Sequence, residues 1–245
     1  MLRNVLITGV SSGIGLGLAR EYLAQGVQVY GLSRREPAEL KGRGNFRFES
    51  ADLRNSEEAK EAVGRLLKGV DRLELVILNA GILGRVADMG EISVEEFRDV
   101  MEVNLLANKV LLDAVFAQEM PVLQVVAMSS GAATTANRGW NAYSISEAAL
   151  NMMIALYATE RPETHFSALA PGIVDTPMQD KISQMPQEGR FASLDMLRTA
   201  RGSPMMPKPE EAAGRLVDGM AKATKFPSGS FLDIHSLVKR SWNGK

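Results

Sequence analysis

Cysteine is absent and histidine nearly so, with two in 245 residues. Disulfides, thiolate metal sites and a cysteine nucleophile are excluded, and His165 and His235 lie too far apart in the chain to suggest a metal centre, so no metal is expected. Charge of one sign is lacking too: 28 Lys+Arg against 29 Asp+Glu leave a formal net charge of −1. Without a Lys/Arg cluster there is no electrostatic footprint for nucleic acid or for an anionic membrane. The first apolar run, residues 5–7, is too short for a signal sequence or a membrane span, and a cytoplasmic protein is expected.

What the chain does have is 45% hydrophobic residues spread evenly along it, material for one buried sheet, and residues 1–245 read as a single domain. Val5-Leu6-Ile7-Thr8-Gly9 reads as a buried strand ending in a turn, after which Ile14, Leu18, Tyr22 and Leu23 carry a helix. Between them lies Gly9-Val10-Ser11-Ser12-Gly13-Ile14-Gly15. Glycines here permit a tight turn and close approach of backbone to a diphosphate, which the helix N-terminus would receive. A plain strand-to-helix turn is the other reading of the same residues. The second strand, 27–32, ends in Ser33-Arg34-Arg35, where an acidic residue would bind ribose hydroxyls and an arginine would accept a 2′-phosphate. Arginine at 34 favours NADP(H), with NAD(H) and a solvated loop as the alternatives.

Strands at 46–49, 73–78, 122–128, 165–169 and 229–234 then alternate with helices at about 57–68, 93–119, 141–161 and 209–224. Ser93-Val94-Glu95-Glu96 is a capping box opening the helix that carries Asn104, and Pro121 and Pro162 stop the helices that precede them. Such alternation argues for an α/β fold with a parallel sheet covered on both faces. The strand ends carry Asn79-Ala80-Gly81, Ser129-Ser130 and Ala170-Pro171-Gly172, at the sheet edge where ligands bind. Residues 178–207 have weak periodicity and read as a mobile cover; Met178, Met185, Met196, Met205 and Met206 fit either an apolar substrate lid or irregular packing.

Taken together, Thr8-Gly9-x-x-x-Gly13-x-Gly15, Asp52-Leu53, Asn79-Ala80-Gly81, Asn104, Ser130, Tyr143 and Pro171-Gly172 through Thr176 resemble, in order and spacing, the short-chain dehydrogenase/reductase family. The likeness covers roughly residues 3–235, and the ending Gly229-Ser230-Phe231-Leu232-Asp233 looks like its small carbonyl-reductase and C-signal-like branch. The resemblance implies one Rossmann-fold domain with a doubly wound, seven-stranded parallel sheet, assembled as a homodimer or homotetramer and acting on a small carbonyl or alcohol substrate. It places Gly9, Ser11, Ser12, Gly13, Ile14 and Gly15 around the diphosphate, Asp52 and Leu53 on adenine, and Asn79, Ala80 and Gly81 on the adenosine ribose. Ile173 and Thr176 would hold the nicotinamide carboxamide. Ser130 would bind the substrate oxygen, Tyr143 would give or take its proton, and Asn104 would support a water in the proton relay.

One position departs. The family has tyrosine, three residues, then lysine; this chain has Tyr143-Ser-Ile-Ser-Glu147. On a helix those two side chains share a face. In the family the lysine binds the nicotinamide ribose and lowers the tyrosine pKa, and a carboxylate inverts that sign. At an effective dielectric of about 20, a unit charge about 5 Å away contributes roughly 3 kcal/mol, so the exchange swings tyrosinate stability by up to roughly 6 kcal/mol. Burial would instead protonate Glu147, leaving a hydroxyl able to bond ribose. Lys109 lies off the Asn104 helical face, and Arg138 is the other cation within reach in sequence. Three readings stay open: a reductase, slowed by Glu147; a dinucleotide-binding pseudoenzyme that signals; and a lysine-to-glutamate change introduced into a working enzyme. His165 is expected to be packed or capped, His235 to lie on the surface, and Trp140 either to wall the substrate pocket or to pack in the core.

Overall fold

A computed structural model describes residues 2–185 and 189–238. Among them, seven strands form one parallel sheet: β1 (Asn4–Thr8), β2 (Gln28–Ser33), β3 (Phe46–Ser50), β4 (Leu75–Leu78), β5 (Gln124–Met128), β6 (His165–Ala170) and β7 (Ser230–Asp233). Their order is β3-β2-β1-β4-β5-β6-β7. Val5 pairs with Val29 of β2 on one side and Leu75 of β4 on the other. The chain thus leaves β1 in one direction and returns to its other flank, the doubly wound arrangement expected from the sequence.

The helices are α1 (Gly13–Ala24), α2 (Ser56–Leu66), α3 (Val94–Met101), α4 (Ala107–Phe116), α5 (Asn141–Glu160), α6 (Pro177–Ser183), α7 (Ala192–Ala200), α8 (Pro209–Ala223) and α9 (Ile234–Leu237). Alternate residues of β1 feed opposite layers, as the two-residue period of a strand requires. Val5 and Ile7 join Leu18, Leu216 and Met220 under α1 and α8, whereas Leu6 joins Val63, Leu111 and Phe166 under α2, α4 and α5. None of the described helices is long and apolar enough to cross a membrane.

Two segments differ from the sequence reading. The helix expected over 93–119 is interrupted by a wide π-turn, Glu102–Leu106, between α3 and α4. Asn104, buried in that turn, is its reason for being there: its Oδ1 accepts from Ile82 N (2.8 Å), and its Nδ2 donates to Ile82 O (2.9 Å) and to Ser146 Oγ (3.0 Å). A wide turn re-aims a side chain without breaking the helix, and here it clamps the loop after β4 to α5. The second difference is the cover over 178–207. Its described residues form α6 and α7, whose Ile182, Leu194 and Leu197 pack with Leu83, Ala200 and Met206 into a small core of their own. Helices this short hold too few turns for their periodicity to show in the sequence.

Replacing Asn104 with alanine leaves a half-buried backbone N–H and C=O of Ile82 without their side-chain partner, each costing up to about 1–3 kcal/mol. Urea unfolding of Asn104→Ala is expected to show a loss of about 2–4 kcal/mol, and a loss below about 0.5 kcal/mol would remove the clamp from the account.

Candidate active site

The carboxyl ends of the strands open into one cleft of about 780 Å³. At its floor, between β1 and α1, Gly9 has φ +73° and an added Cβ would lie 2.9 Å from Asn79 Nδ2 and 3.1 Å from Ala80 Cα. Gly15, expected beside the diphosphate, does not line the cleft. It sits behind the turn, where a Cβ would meet Gly9 O at 2.4 Å, so its lack of a side chain serves packing. Ser12 makes no capping hydrogen bond and the first turn of α1 holds no acidic residue, leaving its N–H groups and positive dipole open to the cleft. That cradle fits a diphosphate. Gly9, Ser11, Ser12, Gly13 and Ile14 all line it.

Thr8 joins the two halves of the floor, its Oγ1 accepting from Asn79 N (2.9 Å) and Ala80 N (3.1 Å). Asn79 spends its own amide on Thr8 O (2.9 Å), so Asn79, Ala80 and Gly81 turn their backbone to the cleft. At the β2 end the Ser33 hydroxyl donates to Arg35 O (2.8 Å), and Arg34 and Arg35 border the cleft with Asp52 and Leu53. A third arginine completes this end. Arg54 grips Asp52 with Nε and Nη2 (Nη2–Oδ2 2.6 Å) and holds the carboxyl down at about 2. Sequence reading passed Arg54 over, although it stands two residues beyond Asp52.

At the other end β5 delivers Ser129 and Ser130, and α5 brings Tyr143 and Glu147 over them. The Asn141 amide fixes the start of α5 by donating to Arg85 O and Ala87 O, each at 2.9 Å. Trp140 stacks obliquely on Tyr143, ring centroids 5.7 Å apart, and its Nε1 donates to Ser193 Oγ at 2.6 Å. It therefore walls the cleft and ties α5 to the cover. Ser130 Oγ accepts from Ala132 N (3.1 Å).

Glu147 is 5% exposed. Its Oε2 and Asn108 Oδ1 are buried without hydrogen-bond partners, and both residues line the cleft, as does Ser129. Burial pushes the Glu147 carboxyl up to about 8, the Ser129 hydroxyl pulling the other way. Burial and then the Glu147 charge raise the Tyr143 phenol well above its usual range, against the opposing pull of Ser130. Among the described residues no cation relieves the carboxyl. Arg138 is committed to Asp88 through Nε (2.7 Å) and Nη2 (2.6 Å), and Lys109 is paired with Asp113 on the surface. The Asn104 side chain is used up in its clamp and its carbonyl accepts from Asn108 Nδ2 (2.8 Å), while Asn108 Oδ1 stays unpaired in a residue that lines the cleft. Sequence reading missed Asn108, one turn beyond Asn104.

Past β6 the chain runs through Pro171, Gly172, Ile173 and Thr176, all on the cleft wall. Gly172 has φ +75°, and a Cβ there would meet His235 Nε2 at 2.8 Å. His235 is exposed, as expected, and its stretch of surface borders the cleft because β7 and α9 carry it to the sheet edge. His165 is tied down as expected, its Nε2 3.0 Å from Phe226 O. Among the described residues no cluster of three or more His, Asp or Glu is arranged to hold a metal.

A carboxyl raised from 4.5 to about 8 keeps its proton in the fold while the unfolded chain loses it. Between those values the folded state binds more protons, so stability is full below about pH 4.5 and is lost as pH rises through about 8, by as much as ~1.4 kcal/mol per unit. Thermal unfolding is expected to show Glu147→Gln gaining several degrees over the parent at pH 9 and little at pH 5. Parallel pH profiles for the two proteins would count against a buried, proton-binding Glu147.

Residues 3–187 match the short chain dehydrogenase family. The chain is 29% identical to a benzil reductase ((S)-benzoin forming) of Bacillus cereus, over 95% of this chain and 99% of that one. It is 28% identical to an NADPH-dependent pterin aldehyde reductase of Arabidopsis thaliana, over 71% and 76%. A crystal structure of a short chain dehydrogenase/reductase from Saccharomyces cerevisiae superposes with a TM-score of 0.81 at 27% identity, covering 95% of this chain and 96% of that one. Glycine turn, serine, tyrosine and sheet order agree with the match, and the chain belongs to the short-chain dehydrogenase/reductase family of NAD(P)-dependent oxidoreductases.

Proposed function

We propose that this protein reduces bulky apolar carbonyl compounds with NADPH, Tyr143 supplying the proton and Ser130 binding the carbonyl oxygen. The carrying observation is the placement of Tyr143, half-buried and held neutral, in a cleft that has an open helix N-terminus on its floor and apolar walls. When bound, the cofactor supplies the hydride; the protein supplies position and a proton donor. Gly9, Ser11, Ser12, Gly13 and Ile14 would hold the diphosphate. Asp52, Leu53, Asn79, Ala80 and Gly81 would hold the adenosine, and Pro171, Gly172, Ile173 and Thr176 the carboxamide end.

Arginine at 34, 35 and 54 against the carboxylates of Asp52 and Asp99 leaves an excess of positive charge where a 2′-phosphate would sit, which supports NADP(H) over NAD(H). The substrate end is walled by Leu83, Trp140, Met178, Ile182, Met196 and Leu197. Such a wall favours aryl or branched ketones, and the benzil reductase relative points to vicinal diketones. Met205 and Met206, expected on the same wall, are not among the lining residues. The cover carrying α6 and α7 would open and close over this end. Ile145, Met152 and Leu156 form an exposed apolar stripe on α5 and support assembly as a homodimer or homotetramer.

Glu147 weakens Tyr143 as an acid but leaves it protonated at neutral pH, so reduction survives and alcohol oxidation, which needs tyrosinate, suffers. Single-turnover oxidation of NADPH with aryl diketones and aldehydes tests the reading. Tyr143→Phe is expected to lose about 10²–10⁴-fold in rate, and Arg34→Ala to lose roughly tenfold of the preference for NADPH over NADH. Trp140→Ala should raise KM for aryl ketones more than for small aldehydes. Tight NADPH binding without turnover, in both the parent and Glu147→Lys, would replace this reading with that of a dinucleotide-binding protein that signals.

A further inference from the structure

Of the buried polar groups in the cleft, Glu147 is the one that the proposed reduction does not use. Its position is defined: one helical turn along α5 from Tyr143 and against the Ser129 hydroxyl at the end of β5. Its Oε2 is buried on the cleft wall without a partner in the protein. A buried acceptor left unpaired at a cleft wall makes a place for a ligand hydroxyl or for positive charge. Resting on the cofactor assignment above, Tyr143 would reach the reacting end of a nicotinamide, and the carboxyl one helical turn away would border the same end of the cleft.

That ring is neutral when reduced and cationic when oxidised. We infer that Glu147 makes this cleft select the oxidation state of its cofactor: the carboxylate favours the cationic oxidised ring over the neutral reduced one, and binding of the oxidised form drives a proton off Glu147. A lysine at this position would do the reverse. The proton and charge balance closes, since one carboxylic acid and one cationic cofactor become a carboxylate, the bound cation and a proton released to water.

The other groups around the cleft leave Glu147 to set this coupling. Tyr143 on the same helix stays protonated, and Ser129, Ser130, Asn104 and Asn108 carry no charge. Arg34, Arg35, Asp52 and Arg54 stand at the β2–β3 end with Asp99, three strands away, roughly 14 Å at the usual strand spacing. Lys181 lies on α6, and Asp233 and His235 border the cleft at the β7 end. None of these contributes to the shift at Glu147, which arises from burial against the Ser129 hydroxyl. Below about pH 8 the carboxyl is protonated and blind to ring charge; above it the two oxidation states are distinguished. By reciprocity, whatever the carboxylate adds to the affinity of the oxidised cofactor, that cofactor subtracts from the Glu147 pKa.

The test is equilibrium binding of NADP⁺ and NADPH to the unmodified protein, Glu147→Gln and Glu147→Lys, from roughly pH 6.5 to roughly pH 9. In the unmodified protein the affinity ratio of oxidised to reduced cofactor is expected to rise about tenfold across that range, the coupling of unit charges several ångströms apart in a partly buried site. Glu147→Gln should hold the ratio flat, and Glu147→Lys should shift it toward NADPH. The 2′-phosphate is common to both forms and cancels in the ratio. Calorimetry of the unmodified protein in buffers of differing ionisation enthalpy should show proton release with NADP⁺ and none with NADPH, a readout that needs no variant to fold. A ratio independent of pH, or one that changes equally in Glu147→Gln, overturns the inference while leaving cofactor binding intact. Failure of both nucleotides to bind at any pH removes the cofactor assignment itself, and the inference with it.

Discussion

A parallel sheet covered on both faces carries few polar side chains along its central strands, and this constraint puts the chemistry at one edge. Val5, Leu6 and Ile7 of β1, Val76 and Ile77 of β4, and Val125, Val126 and Ala127 of β5 are fully buried and apolar. The polar residues begin where those strands end: Thr8, Ser33, Asn79, Ser129 and Ser130. Because β1 lies between β2 and β4, the chain departs on opposite sides of it, leaving a crevice at the switch. The glycine turn of α1 and the Asn79-Ala80-Gly81 backbone face each other across that crevice, and the walls of the cleft follow from it.

Holding such an edge in shape falls to side chains that bond to backbone instead of to ligand. Thr8 ties the ends of β1 and β4 together, Asn104 clamps Ile82, and Asn141 gathers the carbonyls of Arg85, Ala87 and Gly139. Ser146 passes the constraint on, accepting from Asn104 Nδ2 and donating to Tyr143 O at 2.8 Å. The Asn104 clamp and Tyr143 therefore share a hydrogen-bonded path through α5. Preorganised positions of this kind let a proton donor act without reordering its surroundings at the moment of reaction.

Much of this was legible in the sequence because it rests on local rules. Buried runs of β-branched and aliphatic residues marked the strands, Pro121 and Pro162 marked helix ends, and Gly9 and Gly13 marked a turn needing positive φ. What escaped depends on contacts between distant segments. The π-turn at Asn104 exists because of a loop about twenty residues upstream, and the helices of the cover are too short to declare themselves. Gly15, expected around the diphosphate, lies behind the turn against Gly9 O and Asn79 Nδ2, a position set by contacts between segments distant in sequence. His235 was expected on the surface and is there, but sequence distance hides the adjacency of β6 and β7 that brings it to the cleft. Arg54 and Asn108 carried a usable signal: each lies within one turn of a residue already singled out.

The carboxyl at position 147 illustrates why the sign of a substitution matters more than its size. Set against tyrosinate alone, an anion in place of a cation reads as damage, since it raises the pKa of Tyr143. Hydride transfer, however, moves charge in two places at once. On the proposed chemistry, reduction consumes a proton from a neutral phenol and leaves positive charge on the ring. A neighbouring carboxylate keeps the phenol in its required state and stabilises the charge that the ring acquires. Oxidation asks for a tyrosinate and discharges the ring, and the same carboxylate opposes both. During transfer itself the two effects, which share one source, pull against each other, since the carboxylate favours the charged ring but disfavours the tyrosinate that donation leaves, and burial meters both: while Glu147 holds its proton, neither operates at full strength.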